Sequence, residues 1–480
     1  MLHPCQRRAM NRRHFITGSA AGLGVGVVGG AMGWKLLSPP TAKIGEIPNA
    51  KLATLDRLPG SEAHRGRVVE VRHPRAVDEL HRIDRLAVRD MLDQGMCAFT
   101  GADHASEAWK KFFEPDDVIG IKVNPVGSNK SRPTVAGSIS SFEVVLEIVR
   151  NLRAIGVPTK NIILFERYAR EFVDTGYEAL LRERDMEGVR WYCSAAQYTD
   201  TQIAIDGIED RSGHSPELLK HVVGYDPDAF VHMGFAAPEH SQRDDRRFRS
   251  HLSNIVTRLV NKFITIPVLK DHRSAGVTLS LKNLSHGLNN NVARSHLHGF
   301  FHGYPTSPGR SYDGPNQCNV FIPTAVNQPA IREKATLHIL DGLVAVYEGG
   351  PGVWNKSWGT WRANRLFVAT DPVALDHIGW DIIDNKRVEV GLPRVGEISR
   401  QHFTPTKKAQ MIVSPFGAGS PLEAISKTAS AEFVRSAGDT EVFDRRTPEH
   451  VILAAMVGLG EFKLNKITHR IVTCKTNQDS

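Results

Sequence analysis

Apolar and polar positions alternate along the chain in two periods. Val118-Ile119-Gly120-Ile121-Lys122-Val123 is a short apolar run bounded by polar residues, the pattern of a buried strand. Ser141–Ile155 places Val144, Val145, Ile148, Val149 and Leu152 on one helical face, and Gly156-Val157-Pro158 ends it. Asn161–Phe165 is a second strand. A strand, helix and strand at this spacing make a βαβ crossover with parallel pairing. Further strands are predicted over Val68–Arg72, Lys262–Leu269, Ala335–Leu340 and Arg365–Ala369, and further helices over Val77–Leu92, Pro372–Ile383 and Pro448–Val457. Residues 194–250 and 286–332 have a loop-rich pattern and read as insertions. The fold class expected is α/β: a mainly parallel sheet with helices on both faces, in one elaborated domain over residues 68–474.

Two segments precede that domain. Residues 38–67, with Ser38-Pro39-Pro40, Pro48 and Pro59-Gly60, have the composition of a linker. Residues 1–37 contain Asn11-Arg12-Arg13-His14-Phe15-Ile16, then an uncharged stretch to Trp34 and Lys35. Paired arginines before a mild apolar run form a twin-arginine export signal. Seven glycines between Gly18 and Gly33 dilute its hydrophobicity, which makes a poor permanent membrane helix. The segment is either cleaved near Ala31-Met32-Gly33 or kept as an anchor, and translation starts at either Met1 or Met10. The expected location is periplasmic or extracytoplasmic. The expected partner is the twin-arginine export machinery, and membrane contact is expected only through this segment.

The leader changes how the charge is read. The chain has 480 residues and a formal net charge of +8, yet residues 1–40 hold Arg7, Arg8, Arg12, Arg13 and Lys35 and no acid. The remainder therefore carries only +3, too little for the basic stripe of a nucleic-acid binder. Arg243–Arg249 mixes both signs and reads as a solvated face. A hydrophobic content of 41 % excludes a largely disordered chain. The cysteines are Cys5, Cys97, Cys193, Cys318 and Cys474; the four beyond the leader allow three pairings, which the sequence leaves open. The lack of any C-x-x-C argues against an iron–sulfur cluster or a cysteine zinc site.

In parallel sheets ligands bind beyond the carboxyl ends of the strands. The residues at those ends are Lys122 and Asn124, Glu166, Lys270-Asp271-His272, Asp341-Gly342, and Asp371. Polar residues are densest from Lys270 through Lys282, Asn283 and His286 to Asn291, followed by His296, His298 and His302. Five histidines fall between His272 and His302, although the whole chain has 21. Neutral imidazole ligates divalent metals, and His296-x-His298 can present two nitrogens to one ion. Asp341, Glu348, Asp371 and Asp376 are acids that can complete such a site. Asp371-Pro372 is equally a helix start, with aspartate as cap. Glu348-Gly349-Gly350-Pro351-Gly352 lacks the strand–G-x-G-x-x-G–helix context of a dinucleotide site.

These residues together resemble the family catalogued as domain of unknown function 362. The resemblance rests on Val118–Pro125, on Lys270–Leu288 (L-K-D-H-x-x-x-G-V-T-L-x-L-K-N-L with Leu269), on Asp341–Gly352 and on Ala369–Asp376 (A-T-D-P-V-A-L-D). Ala454–Glu461 is similar to the tail of exported members. The resemblance covers about residues 90–470 and keeps the motif order. It implies one elaborated α/β domain and no particular reaction. Some relatives carry a ferredoxin-like cysteine segment; this chain has none, which counts against electron transfer.

Two functional classes follow. In the first, an exported enzyme acts on a small anionic or carbonyl-bearing substrate, by hydrolysis or by lyase or isomerase chemistry beside a carbonyl. Lys122 and Asn124 would position the substrate, and Asn124 and Asn283 would orient its oxygen. Lys270, Asp271, His272 and Lys282 would supply proton transfer and charge. His286, His296, His298, Asp341, Glu348, Asp371 and Asp376 would hold a divalent metal if the site uses one. In the second class, the same pocket captures a metal or anion without turnover.

Overall fold

A computed structural model describes residues 64–128, 137–199, 201–233, 243–272, 274–296, 318–351, 359–395 and 448–474. The expected leader, nearly all of the expected linker, His298 and His302 lie outside these residues. The strands are β1 (Arg67–Arg72), β2 (Ile119–Lys122), β3 (Ile162–Tyr168), β4 (Arg190–Ala195), β5 (Tyr225–His232), β6 (Arg249–Ser253), β7 (Lys262–Thr265), β8 (Val268–His272), β9 (Gly276–Val277), β10 (Ala335–Val346), β11 (Thr360–Ala369) and β12 (Thr468–Thr473). The main sheet runs β12-β1-β11-β10-β7-β2-β3-β4, with β8 beside β10 and β9 beside β8, while β5 and β6 pair separately. Strands β10, β7, β2, β3 and β4 are parallel, and β8 is parallel to β10. The mainly parallel α/β arrangement is therefore as expected, with β11 antiparallel to both neighbours.

Alternation along each strand sends side chains to opposite faces. Ile119, Ile121, Ile162, Leu164, Ile264, Ile339 and Val368 pack under α1 (Arg85–Thr100) and α2 (Phe142–Ala154). Their neighbours Ile163, Phe165 and Phe263 pack under α3 (Leu279–His286), α4 (Cys318–Val326) and α6 (Glu449–Met456). Leu340, Phe367 and Ala369 pack under α5 (Pro372–Glu389). Each such side chain is worth roughly 1.5–3 kcal/mol when fully buried. A one-residue slip of any central strand would exchange the faces, so register is fixed and with it the position of Lys122.

Several boundaries differ from the sequence expectation. The helix expected over Val77–Leu92 begins at Arg85, because Asp84 accepts from the amides of Leu86 and Ala87 and caps it there. Val77 and Ile83 form an isolated bridge before the cap, and Leu80 and Leu86 are exposed. Lys262–Leu269 divides into β7 and β8 around Ile266-Pro267, since proline has no N–H for the ladder. Strand β10 continues past Leu340, which puts Asp341 inside the strand rather than at its end. The two loop-rich segments contain β5, β6 and α4, and β4 and β12 were not foreseen. Among the described residues no helix is long and apolar enough to cross a membrane. Among the described residues, Cys97, Cys193, Cys318 and Cys474 form no disulfide.

Candidate functional site

The parallel strands β2, β3 and β8 end at one rim of the sheet, and a cleft of about 580 Å³ opens there. Strand β2 brings Lys122 and then Asn124; β3 brings Glu166, Arg167 and Tyr168; β8 brings Lys270 and His272. Helix α3 lies across these strand ends and adds Lys282, Asn283 and His286, while His296 joins from the following turn. Residues from five stretches of sequence thus meet in one space.

The three lysines differ in their surroundings. Lys122 Nζ donates to Glu166 Oε2, to the Val123 carbonyl at 2.6 Å and to Asn283 Oδ1 at 3.4 Å. Lys270 Nζ donates to Asn124 Oδ1 at 3.1 Å and to the Val126 and Ser138 carbonyls. Burial pulls Lys270 down to about 7, against an ordinary value of 10.5. Lys282 is also lowered by burial, to about 8, and its Nζ lies 3.4 Å from His296 Nε2. Glu171, on the cleft wall, is pushed up by burial and by the neighbouring Glu166 charge.

Two buried cleft atoms, Asn283 Nδ2 and Tyr168 Oη, have no hydrogen-bond partner among the described residues. An unmet buried donor costs about 1–3 kcal/mol, so its retention in a cleft wall marks a place for an acceptor oxygen. Gly287 makes the close approach of α3 possible. A Cβ there would meet Asn283 O at 2.3 Å and Lys122 Nζ at 2.8 Å.

The expected acids do not gather with the histidines. Asp341 accepts from the Ser141 amide at 2.8 Å and the Leu343 amide at 3.0 Å, which ties β10 to the start of α2. Asp376 accepts from the Ser280 and Leu281 amides at 2.7 and 2.9 Å and so caps the helix that carries Lys282 and Asn283. Glu348 is paired with Arg387 at 2.5 Å. Asp371 follows β11, which runs against its neighbours, so it lies near the amino end of β10 and borders a separate cavity of about 110 Å³. Asp271 accepts from the Gly350 amide at 2.7 Å. His272 Nδ1 accepts from the Ser274 and Ala275 amides at 3.0 and 3.1 Å, an arrangement that shapes the turn after β8. Asp271, Asp341, Glu348, Asp371 and Asp376 are not in the cleft lining.

The histidines instead meet a cysteine. Ligand atoms of His286, His296 and Cys318 lie within 4.8 Å of one another, a group that can hold a metal ion. Cys318 carries no signal in the sequence, since it has no neighbouring cysteine and lies in a segment whose pattern reads as loop, although the structure places it at the first turn of α4. Arg167 and Tyr168 were also missed, although their place at the end of β3 follows the strand-end rule.

Residues 240–381 match the family model described as Domain of unknown function (DUF362). The segment includes β8, α3, β10, β11 and the first half of α5, and so Lys270, Lys282 and Asn283; Val118–Pro125 and Ala454–Glu461 fall outside it. No curated protein and no solved structure matches the chain.

Proposed function

We propose that the protein is an exported enzyme acting on a small anionic or carbonyl-bearing substrate at the carboxyl rim of its sheet, by hydrolysis or by proton transfer beside a carbonyl. The observation that carries this reading is the pairing of unmet donors with buried ammonium groups in one cleft. Asn283 Nδ2 and Tyr168 Oη lack partners among the described residues, and Lys122, Lys270 and Lys282 line the same cleft. Such a wall is complementary to oxygen atoms that carry or develop negative charge. Lys270, poised at about 7, takes the proton-carrying role, because both of its protonation states are populated near neutral pH. Lys122, held by Glu166, and Asn124, held by Lys270, orient the substrate.

The test uses the mature protein with inorganic phosphate and malonate as anion probes, followed by a panel of ester, amide and keto-acid substrates. Lys270→Met and Asn283→Leu are expected to weaken probe binding by roughly 10-fold or more while the fold persists, as loss of a buried charged or polar contact should. Turnover of one substrate class that Lys270→Met abolishes supports the enzyme reading. Retention of a probe with no class turned over assigns the cleft to capture without catalysis. Binding that is indifferent to both substitutions removes the site. Export is read separately: Arg12→Lys with Arg13→Lys should leave the protein in the cytoplasm, as a twin-arginine signal requires.

A further inference from the structure

The group formed by His286, His296 and Cys318 differs from the metal site that the sequence suggests. It contains no carboxylate. It joins the end of α3, the turn Ala293–His296 and the first residue of α4. We propose that His286, His296 and Cys318 form a three-ligand site for a zinc-class divalent cation, with its fourth position open toward the cleft. This site goes beyond the catalytic reading above and does not depend on it.

Three observations support it. Two imidazoles and one thiolate are a borderline-soft donor set, suited to zinc, cobalt(II) or copper and unsuited to magnesium or calcium. Three protein ligands with a vacant fourth position is the pattern of metal sites that meet a substrate or water. His286 and His296 both line the cleft, so that vacant position has somewhere to face.

The local fold also prepares the ligands. Cys318 is the first residue of α4, the helix Cys318–Val326, and is fully buried there. Its Sγ donates to the Ser295 carbonyl at 3.2 Å. The Ser295 hydroxyl lies 2.7 Å from His286 Nε2 and 3.9 Å from Cys318 Sγ, between two of the ligands. Ser285 Oγ holds His286 Nδ1 at 3.0 Å, the outer hydrogen bond that fixes a ligating ring and leaves the other nitrogen for the metal. A tetrahedral zinc ion with bonds of about 2.0–2.3 Å needs its ligands roughly 3.5 Å apart. The separations of up to 4.8 Å must therefore close by about an ångström, with Ser295 turning aside. Lys282 beside His296 and Arg167, bound to the His286 carbonyl, oppose a cation electrostatically; the thiolate offsets part of that charge.

The experiment is zinc titration of the full chain after chelator stripping, in competition with a chromophoric chelator, with cobalt(II) added in parallel. One equivalent of zinc is expected. Cys318→Ser and His296→Ala should each weaken binding by more than about 100-fold, beyond the 10–100-fold cost of losing an outer partner. Cobalt should give a thiolate charge-transfer band that Cys318→Ser lacks. His296 is only half-buried, so His296→Ala keeps the test valid should Cys318→Ser misfold. No stoichiometric uptake, unchanged affinity in His296→Ala, or a cobalt spectrum without thiolate would overturn the site. Phosphate and malonate binding by Lys270 is measured on metal-free protein, so either reading can fail while the other stands.

Discussion

Two carboxylates, one at each rim of the sheet, show how differently a buried acid can be used. Glu166 ends β3 at the carboxyl rim and is satisfied by a side chain, Lys122, in the wall of a large cleft. Asp371 follows antiparallel β11 and faces the other rim. It is satisfied by main chain alone: Val373 and Ala374 donate to Oδ1, and Gly66 and Glu461 donate to Oδ2, all at 2.9–3.0 Å. Main-chain amides cannot leave without undoing the fold. A lysine side chain can exchange one oxygen for another. The first arrangement is therefore able to take a ligand, and the second fastens the start of α5 to the segments around Gly66 and Glu461.

Glu166→Ala should break this contrast most severely. Lys122 is 1 % exposed, and removing its partner leaves a buried cation with only neutral acceptors. Breaking a buried pair in this way costs about 3–5 kcal/mol, read as a lower urea midpoint. Replacing both partners, Lys122→Met with Glu166→Leu, should restore most of that stability, while anion binding is lost with the Lys122 ammonium. Asp371→Ala should cost about 2–4 kcal/mol, from the lost cap and from the stranded amides of Gly66 and Glu461. Phosphate affinity should not change in that variant. If Asp371→Ala weakens phosphate binding while the fold persists, the separation of the two rims is wrong.

The same contrast explains what the chain discloses before folding. Lys122 and Lys270 are legible because parallel strands end together and a polar residue after an apolar run is visible in the sequence; Lys282 and Asn283 stand out only as part of the dense polar stretch that follows Lys270. Asp371 was grouped with them by the same rule, and the rule failed because strand direction is not written in an apolar run. β11 looks like any other strand until its pairing with β10 is known. Asp341 failed for another reason: β10 extends through Val346, and Asp341-Gly342 interrupts its apolar pattern before Leu343–Val346 resumes it. Cys318 was missed because a three-ligand cluster drawn from a helix end, a turn and a distant helix start has no spacing to recognise. Local chemistry was legible, and the direction and length of strands were not.

Gly287→Ala sharpens the comparison from within the cleft. The added methyl would meet the Asn283 carbonyl of α3 itself and Lys122 Nζ, so the last turn of α3 and the Lys122 side chain must both give way. Overpacking of this kind costs about 1–3 kcal/mol. The expected signature is a stability loss together with weaker phosphate binding, because Lys122 and Asn283 lose their relative placement. A stability loss with unchanged binding would mean that these two residues do not act together on a ligand.

The smallest effect separates charge from shape. Burial lowers Lys270 to about 7 in the folded protein from an ordinary 10.5. Its ammonium, the form that attracts an anion, is fully present below pH 7 and is lost above it. Phosphate or malonate affinity should therefore fall by up to about 10-fold per pH unit above 7, until the bound anion's own stabilisation of the ammonium ends the trend. Stability should move the other way. Between pH 7 and 10.5 the unfolded chain binds this proton and the folded one does not, so the contribution of Lys270 to stability rises with pH, by about 1.4 kcal/mol per unit. Lys270→Met should flatten both slopes at once. Affinity and stability that change in the same direction, or slopes that survive the substitution, would place the titrating group elsewhere and leave Lys270 as a packing residue of the rim.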